Sequence, residues 1–355
     1  MRFHIRTLIV LALAVGLVAL FLHEVDLGSV AREIRRAEPV WLAVSFGSMF
    51  LNLGIRALRW RFLLEPIGRT SFANSFRATA VGFAARGVLP SAAGELVRPY
   101  FLSRYEPVSA TGAFATVILE RLLDMLTVLI LLAWFVFVSG RDHSAANPTA
   151  YAVVTWAAAV AGVAGIAALV FLFLLAGRPE RVGRWLKRME ELMPSRFAGM
   201  LAHAMNKFVD GLAVIRRPSR LLVALMWSFP LWMSIALGIW AVAVAFHLDV
   251  PFSGSYLLIA FLTLGVAVPT PGAVGSYHEA FRIGVTTFFG AQNDAAVAAA
   301  IVLHAVGFIP VVLVGALFMA QDGLSVKRLQ DMAVTARQEE MPDTNEVPLL
   351  RTPGR

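Results

Sequence analysis

Six stretches of this chain stay apolar for the length of a membrane crossing: roughly residues 5–22, 40–62, 109–138, 149–176, 218–246 and 294–320, where a helical span takes about 20 residues. Hydrocarbon offers no partner to a bare peptide group, so each stretch must close its own backbone bonds as a helix. The predicted class is therefore all-α, a polytopic integral membrane protein with about six full spans. Hydrophobic residues make up 58% of the chain and charged ones 15%, against roughly a quarter charged in soluble domains. The longest polar stretch, about 177–217, is the size at which a soluble module needs a metal or disulfides, and the chain has no cysteine. One transmembrane domain is predicted over residues 1–320, followed by a flexible polar tail over 321–355. Met1 to Leu22 begins like a signal peptide, but no small-residue cleavage site precedes His23-Glu24, so it reads as a retained span.

The net charge of +8 points to membrane insertion rather than to nucleic acid, because the basic residues alternate between loops. Arg178, Arg181, Arg184, Lys187, Arg188, Arg196, Lys207, Arg216 and Arg217 crowd the 177–217 connector, whereas about 139–148 and 247–253 hold only Arg141. Basic loops stay in the cytoplasm. That rule puts both termini, the connector, Arg59, Arg61, Arg69, Arg98 and Arg104 inside, and leaves Arg32, Arg35 and Arg36 as exceptions in the first outward loop. Apolar residues spaced among the connector's basic ones suit either a helix lying on anionic headgroups or a solvated link.

Two further apolar stretches, about 71–89 and 255–289, are broken in matching ways. Pro90-Ser91-Ala92-Ala93-Gly94 leads into Glu95, and Pro269 with Pro271-Gly272-Ala273-Val274-Gly275 leads to Glu279. Pro removes a backbone donor and Gly costs about 1 kcal/mol in a helix, so both segments are predicted to turn back before crossing. Each half, about 40–138 and 218–320, then reads span, re-entrant hairpin, span, in opposite orientations. That inverted repeat is the plan of alternating-access transporters. The bland reading of the same breaks is a pair of structural kinks.

Glu120, Arg121 and Asp124 fall near the middle of the 109–138 span, where charges face a protein interior or wet path and mark routes for ions or substrates. Glu120 and Asp124 share a helix face. Either they form a transport site or they are an ion-pair cluster that locks helices together. Arg86, Glu95 and Arg98 beside the first break, and His278, Glu279 and Arg282 beside the second, are the groups expected to converge with them. Arginine forks suit a phosphate. Arg56, Arg59 and Arg61 around Trp60 read as interfacial anchors, and His304 as a packing residue. No motif for a nucleophile, a metal or a phosphate-binding loop occurs, so no catalytic residue, metal or cofactor is predicted.

Arg59-Trp60, Pro90-x3-Gly94-Glu95-x2-Arg98, Glu120-Arg121-x2-Asp124, and Pro269-Thr270-Pro271-Gly272-x2-Gly275 with Glu279 together resemble the flippase-like membrane family of the lysylphosphatidylglycerol synthase transmembrane region, over about residues 5–320. The resemblance implies a bacterial inner-membrane protein. Relatives move an aminoacylated phospholipid between leaflets, or are linked to hopanoids or polyprenol-linked sugars. Members with synthase activity carry a soluble aminoacyl-tRNA-using domain, and this chain is expected to lack that activity. The sequence departs from the family pattern at Arg86 or Gly87 where Asn is common, at Ala92 where Arg is common, and at Ala273 where Gly is common.

The expected function is lipid translocation. An anionic or modified headgroup would be handled by Glu95, Arg98, Glu120, Arg121, Asp124 and Glu279, with Pro90, Gly94, Pro269, Pro271, Gly272 and Gly275 as hinges of the two breaks. The expected partners are a phospholipid, hopanoid or polyprenol-linked lipid and a lipid-synthesis enzyme. The alternatives are a membrane-embedded transferase acting on a lipid carrier, or an accessory protein to such an enzyme.

Overall fold

The computed structural model describes Phe21 and residues 26–88, 91–139, 147–177, 218–268 and 270–322, and these are helical with short connections. The expected span at 5–22 (Phe21 apart), the 177–217 connector beyond Gly177, and the tail beyond Asp322 lie outside them, as do Pro90 and Pro269.

In chain order the helices are α1 (Leu27–Arg36), α2 (Pro39–Leu64), α3 (Phe72–Val88), α4 (Ser91–Ser103), α5 (Ala110–Trp134), α6 (Pro148–Gly177), α7 (Pro218–Ala245), α8 (Gly254–Ala267), α9 (Ser276–Phe289) and α10 (Asn293–Gln321). Local sequence sets several starts: Pro39 occupies the first turn of α2, and the Ser109 hydroxyl accepts the Gly112 N–H at the start of α5. Five helices are long and apolar enough to cross a bilayer: α2, α5 with its π-helical extension to Val138, α6, α7 and α10. The protein is a multi-pass membrane protein. Outward-facing side chains such as Trp156 and Val160 on α6 are solvated by hydrocarbon, which removes any penalty for their exposure.

α3 with α4, and α8 with α9, form two hairpins whose arms hold 17, 13, 14 and 14 residues. At ~1.5 Å per residue these arms reach about 20–26 Å, short of the roughly 30 Å core. The mouth of the first hairpin is closed by Glu106, which follows α4 and accepts from the Ser71 N–H at 2.8 Å and the Asn74 amide at 2.7 Å, just before and within the start of α3. At the second mouth, the Phe289 ring ending α9 lies against Gly254, which opens α8; a Cβ there would stand 2.8 Å from the ring. Both hairpins enter and leave at one level.

The helices that precede the two hairpins lie antiparallel. The Glu38 N–H donates to Ala245 O at 3.0 Å at one end of the α2–α7 pair, and Arg220 pairs with Glu65 at 2.9 Å at the other. Between these ends, Gly238 admits Ser48 and Ser45 so closely that a Cβ at 238 would be 2.6 Å from the Ser48 hydroxyl oxygen, the small-residue packing expected where no hydrophobic drive separates helix from lipid. Because α2 and α7 run in opposite directions, the hairpin after α2 opens at one end of the bundle and the hairpin after α7 at the other.

α10 returns along the first hairpin. Gly315 crosses α3 where an added Cβ would strike the Ala80 carbonyl oxygen and the Ala84 methyl, and Arg77 donates to Gln321 at 3.1 Å near the hairpin mouth. The tip of the second hairpin, the 3-10 turn Pro271–Ala273, packs against α3. The two hairpins therefore meet inside the bundle.

Candidate functional site

Glu120 lies ten residues into α5, about 15 Å from its start at ~1.5 Å per residue, and it and Asp124 face the same way one turn apart. Both are buried, with 0% and 4% exposure. α2 presents Arg56 and Arg59 to them, three residues apart on one face. Arg56 Nη1 donates to Glu120 Oε1 at 3.1 Å; Arg59 Nη1 lies 2.6 Å from Asp124 Oδ1, and Arg59 Nη2 lies 3.1 Å from Glu120 Oε1. From the first hairpin, α4 adds Arg98, whose Nη1 reaches both Glu120 oxygens at 3.2 and 3.1 Å. From α7, Ser228 accepts from Arg59 at 2.7 Å and the Trp232 indole donates to Asp124 at 3.1 Å. Three helices, α2, α4 and α7, thus converge on the two carboxylates of α5.

Arg56, Arg59 and Arg98, each at most 5% exposed, share those two carboxylates, which among these five described side chains leaves one positive charge in excess. Arg121 adds a fourth guanidinium, 3.7 Å from Asp124 on the cluster's more open side. Arg86 and Arg56 both face the Phe83 ring, at 5.6 and 5.5 Å. A buried cation without a counter-ion is expensive, so a surplus favours an anion beside it.

Arg56 and Arg59 do not sit at the interface as anchors, which corrects the sequence reading. Arg56 is eight residues from the end of α2 at Leu64, two turns deep, and the complementary spacings on α2 and α5 were the available signal. Arg61 does stay at the helix end, where its Nε donates to Thr70 O at 3.0 Å. Ser228 and Trp232 carry no sequence signal of their own, because a serine and a tryptophan in an apolar span are ordinary packing residues. Of the residues expected to converge, Arg98, Glu120, Arg121 and Asp124 come together. Glu95 belongs to α4, but its side chain lies outside the described residues. Gly94 falls inside α4 rather than at the break.

Glu279 is engaged elsewhere. It takes Arg282 Nε at 2.8 Å, and Arg282 also donates to Asn293 at 3.0 Å, tying α9 to the start of α10. At the tip of the second hairpin, Gly272, Ala273 and Gly275 take φ of +61°, +57° and +87°. The Gly272 carbonyl lies 2.9 Å from His304 Nε2, and the Gly275 N–H donates to His278 Nδ1 at 3.1 Å. The His278 and His304 rings stack edge to face at 4.6 Å. Ala273 is the residue in this turn that pays for the left-handed backbone, at about 1 kcal/mol. Ala273→Gly is expected to raise the unfolding temperature of the detergent-solubilised chain by a few degrees; an unchanged or lowered value would show the turn to be unstrained.

A family model described as the lysylphosphatidylglycerol synthase TM region matches residues 7–315, which takes in every residue of the arginine–carboxylate cluster. The chain belongs to this family. The chain is also similar to a UPF0104 membrane protein of Methanothermobacter thermautotrophicus, 25% identical over 328 residues, 86% of this chain and 92% of that one. UPF0104 membrane protein MJ1595 of Methanocaldococcus jannaschii is 29% identical over 103 residues, 28% of this chain and 31% of that one. The glycosyltransferase AglD of Haloferax volcanii is 24% identical over 370 aligned residues, 95% of this chain but 57% of that protein's length.

Proposed function

We propose that this protein moves the headgroup of an amphiphilic lipid, anionic or modified, between the leaflets of the plasma membrane. The observation that carries the reading is the buried cluster in which Arg56, Arg59 and Arg98 outnumber Glu120 and Asp124 beside a re-entrant hairpin. A cation surplus at mid-membrane is a receptor for an anionic headgroup, while acyl chains remain in the surrounding lipid. Hairpins that open at opposite ends and meet inside the bundle support alternating access as the mode of movement. Arg61, Arg69, Arg77, Arg104 and Arg220 gather toward the end where the first hairpin opens, which supports a cytoplasmic position for that end, and on this reading both termini are cytoplasmic. The driving force on this reading is a lipid gradient or protons, and a lipid-synthesis enzyme supplies the cargo.

A second reading, a transferase or accessory protein acting on a lipid-linked substrate, draws on the similarity to the glycosyltransferase AglD, of which this chain matches part. Lipid mass spectrometry combined with leaflet-selective labelling separates the two in deletion and wild-type cells. Translocation predicts an unchanged lipid inventory with altered sidedness. A missing lipid species with unchanged sidedness of the rest would reject translocation in favour of the transferase.

A further inference from the structure

Within the cluster, Arg98 is set apart by the aromatic ring its guanidinium lies against. Its guanidinium carbon lies over the Trp60 ring, 3.8 Å from the centroid, and that ring is fixed by the indole N–H donating to the Thr116 hydroxyl at 3.0 Å. Behind it, Gly82 leaves the helix-to-helix space that lets α4 approach: a Cβ at 82 would stand 2.9 Å from Arg98 Cβ. Nη1 is committed to Glu120. Nε and Nη2, which form the opposite edge of the same planar group, are buried and have no hydrogen-bond partner among the described residues. Arg56 Nε and Arg59 Nε are in the same condition, as is Arg59 Nη2, although that atom lies 3.1 Å from Glu120 Oε1.

An edge of this kind presents two parallel N–H bonds, the fork that matches two oxygens of a phosphate or carboxylate. Buried polar groups are nearly always satisfied, and an orphan calls for an explanation such as an ion or ligand. Two orphan donors on one edge, on a side chain held rigid by a ring below and a carboxylate behind, are prepared for a bidentate oxyanion. The local positive surplus supplies the matching charge.

We propose that the Nε–Nη2 edge of Arg98, stacked on Trp60, is the seat of a phosphate-type oxyanion, presented by a lipid headgroup or as free phosphate. The inference deepens the translocation reading and rests on it for the source of the phosphate. Arg98 keeps Glu120 on its other edge while it holds the oxyanion, so the bound phosphate joins the hairpin helix α4 to the fixed spans α2 and α5.

The test uses the full chain in maltoside micelles, which carry no phosphate, with unfolding temperature as the readout. One arm adds inorganic phosphate; the other incorporates phosphatidic acid. Ligand that binds only the folded chain raises its stability. Arg98→Lys keeps the charge but loses the fork, and Arg98→Gln loses both. The expected result is a rise in wild type whose half-saturation moves at least about tenfold in Arg98→Lys, the effect of one lost charge-assisted bond. A rise with phosphate alone identifies the free ion; a rise confined to the phosphatidic acid arm identifies a headgroup. No rise in either wild-type arm overturns the proposal, whatever the variants do, and so does an equal rise in wild type, Arg98→Lys and Arg98→Gln. Wild type that binds through Arg98 while cellular lipid sidedness is unchanged by deletion would reject translocation and keep this site. Altered sidedness with Arg98-independent binding would do the reverse.

Discussion

Glu120→Ala is expected to lower folding stability by about 3–5 kcal/mol, the cost of leaving buried charge without its partner. The direction follows from the count around it: Glu120 is the shared acceptor of Arg56, Arg59 and Arg98, none more than 5% exposed. Removing a carboxylate from a cluster already rich in cations is worse than removing a cation, so Arg56→Met should cost less than Glu120→Ala in the same denaturant series. Glu120→Gln keeps the volume and one acceptor oxygen, so its abundance should fall less than its effect on lipid sidedness. Equal losses of abundance and sidedness in Glu120→Gln would reduce the cluster to a structural lock.

The second large effect is expected at Gly315. A Cβ there strikes the Ala80 carbonyl oxygen and lies 2.6 Å from Ala84 Cβ, and backbone, unlike the end of a long side chain, has little room to yield. Gly315→Val should force α10 off α3, at a cost of 1–3 kcal/mol or more by the usual scale of about that size for overpacking. The first hairpin should then become accessible to protease in membranes where wild type is resistant. A variant with wild-type abundance and protection would mean that α10 and α3 do not cross closely.

Much of this architecture could be read from the chain because the membrane restricts the choices. Apolar length alone placed α2, α5, α6, α7 and α10, since a bilayer leaves an apolar run little to be except a helix. The Pro and Gly clusters marked both hairpins, but less well their turning points: the helix runs through Gly94, because one glycine costs a packed helix only about 1 kcal/mol. The charges at Glu120 and Asp124 were legible for the opposite reason, being unaffordable in lipid without partners. Their partners were harder to find. Arg56 and Arg59 sit close enough to a helix end to pass as anchors, and only the antiparallel pairing of α2 with α5 turns them inward. Ser228, Trp232 and the free edge of Arg98 are tertiary facts, set by α7 and α4 arriving at the same place.

The account depends most on the two hairpins opening to opposite faces of the membrane, and the chain's lack of cysteine makes that measurable without background. Arg69 and Asp249 are exposed residues just before the two hairpins. Arg69→Cys and Asp249→Cys, each alone in intact cells, can be treated with a membrane-impermeant thiol reagent before and after permeabilisation. The account predicts that Asp249→Cys reacts in intact cells and Arg69→Cys only after permeabilisation. Reaction of both from the same side would contradict it, because the halves would then not be inverted and no alternating route to the arginine cluster would exist.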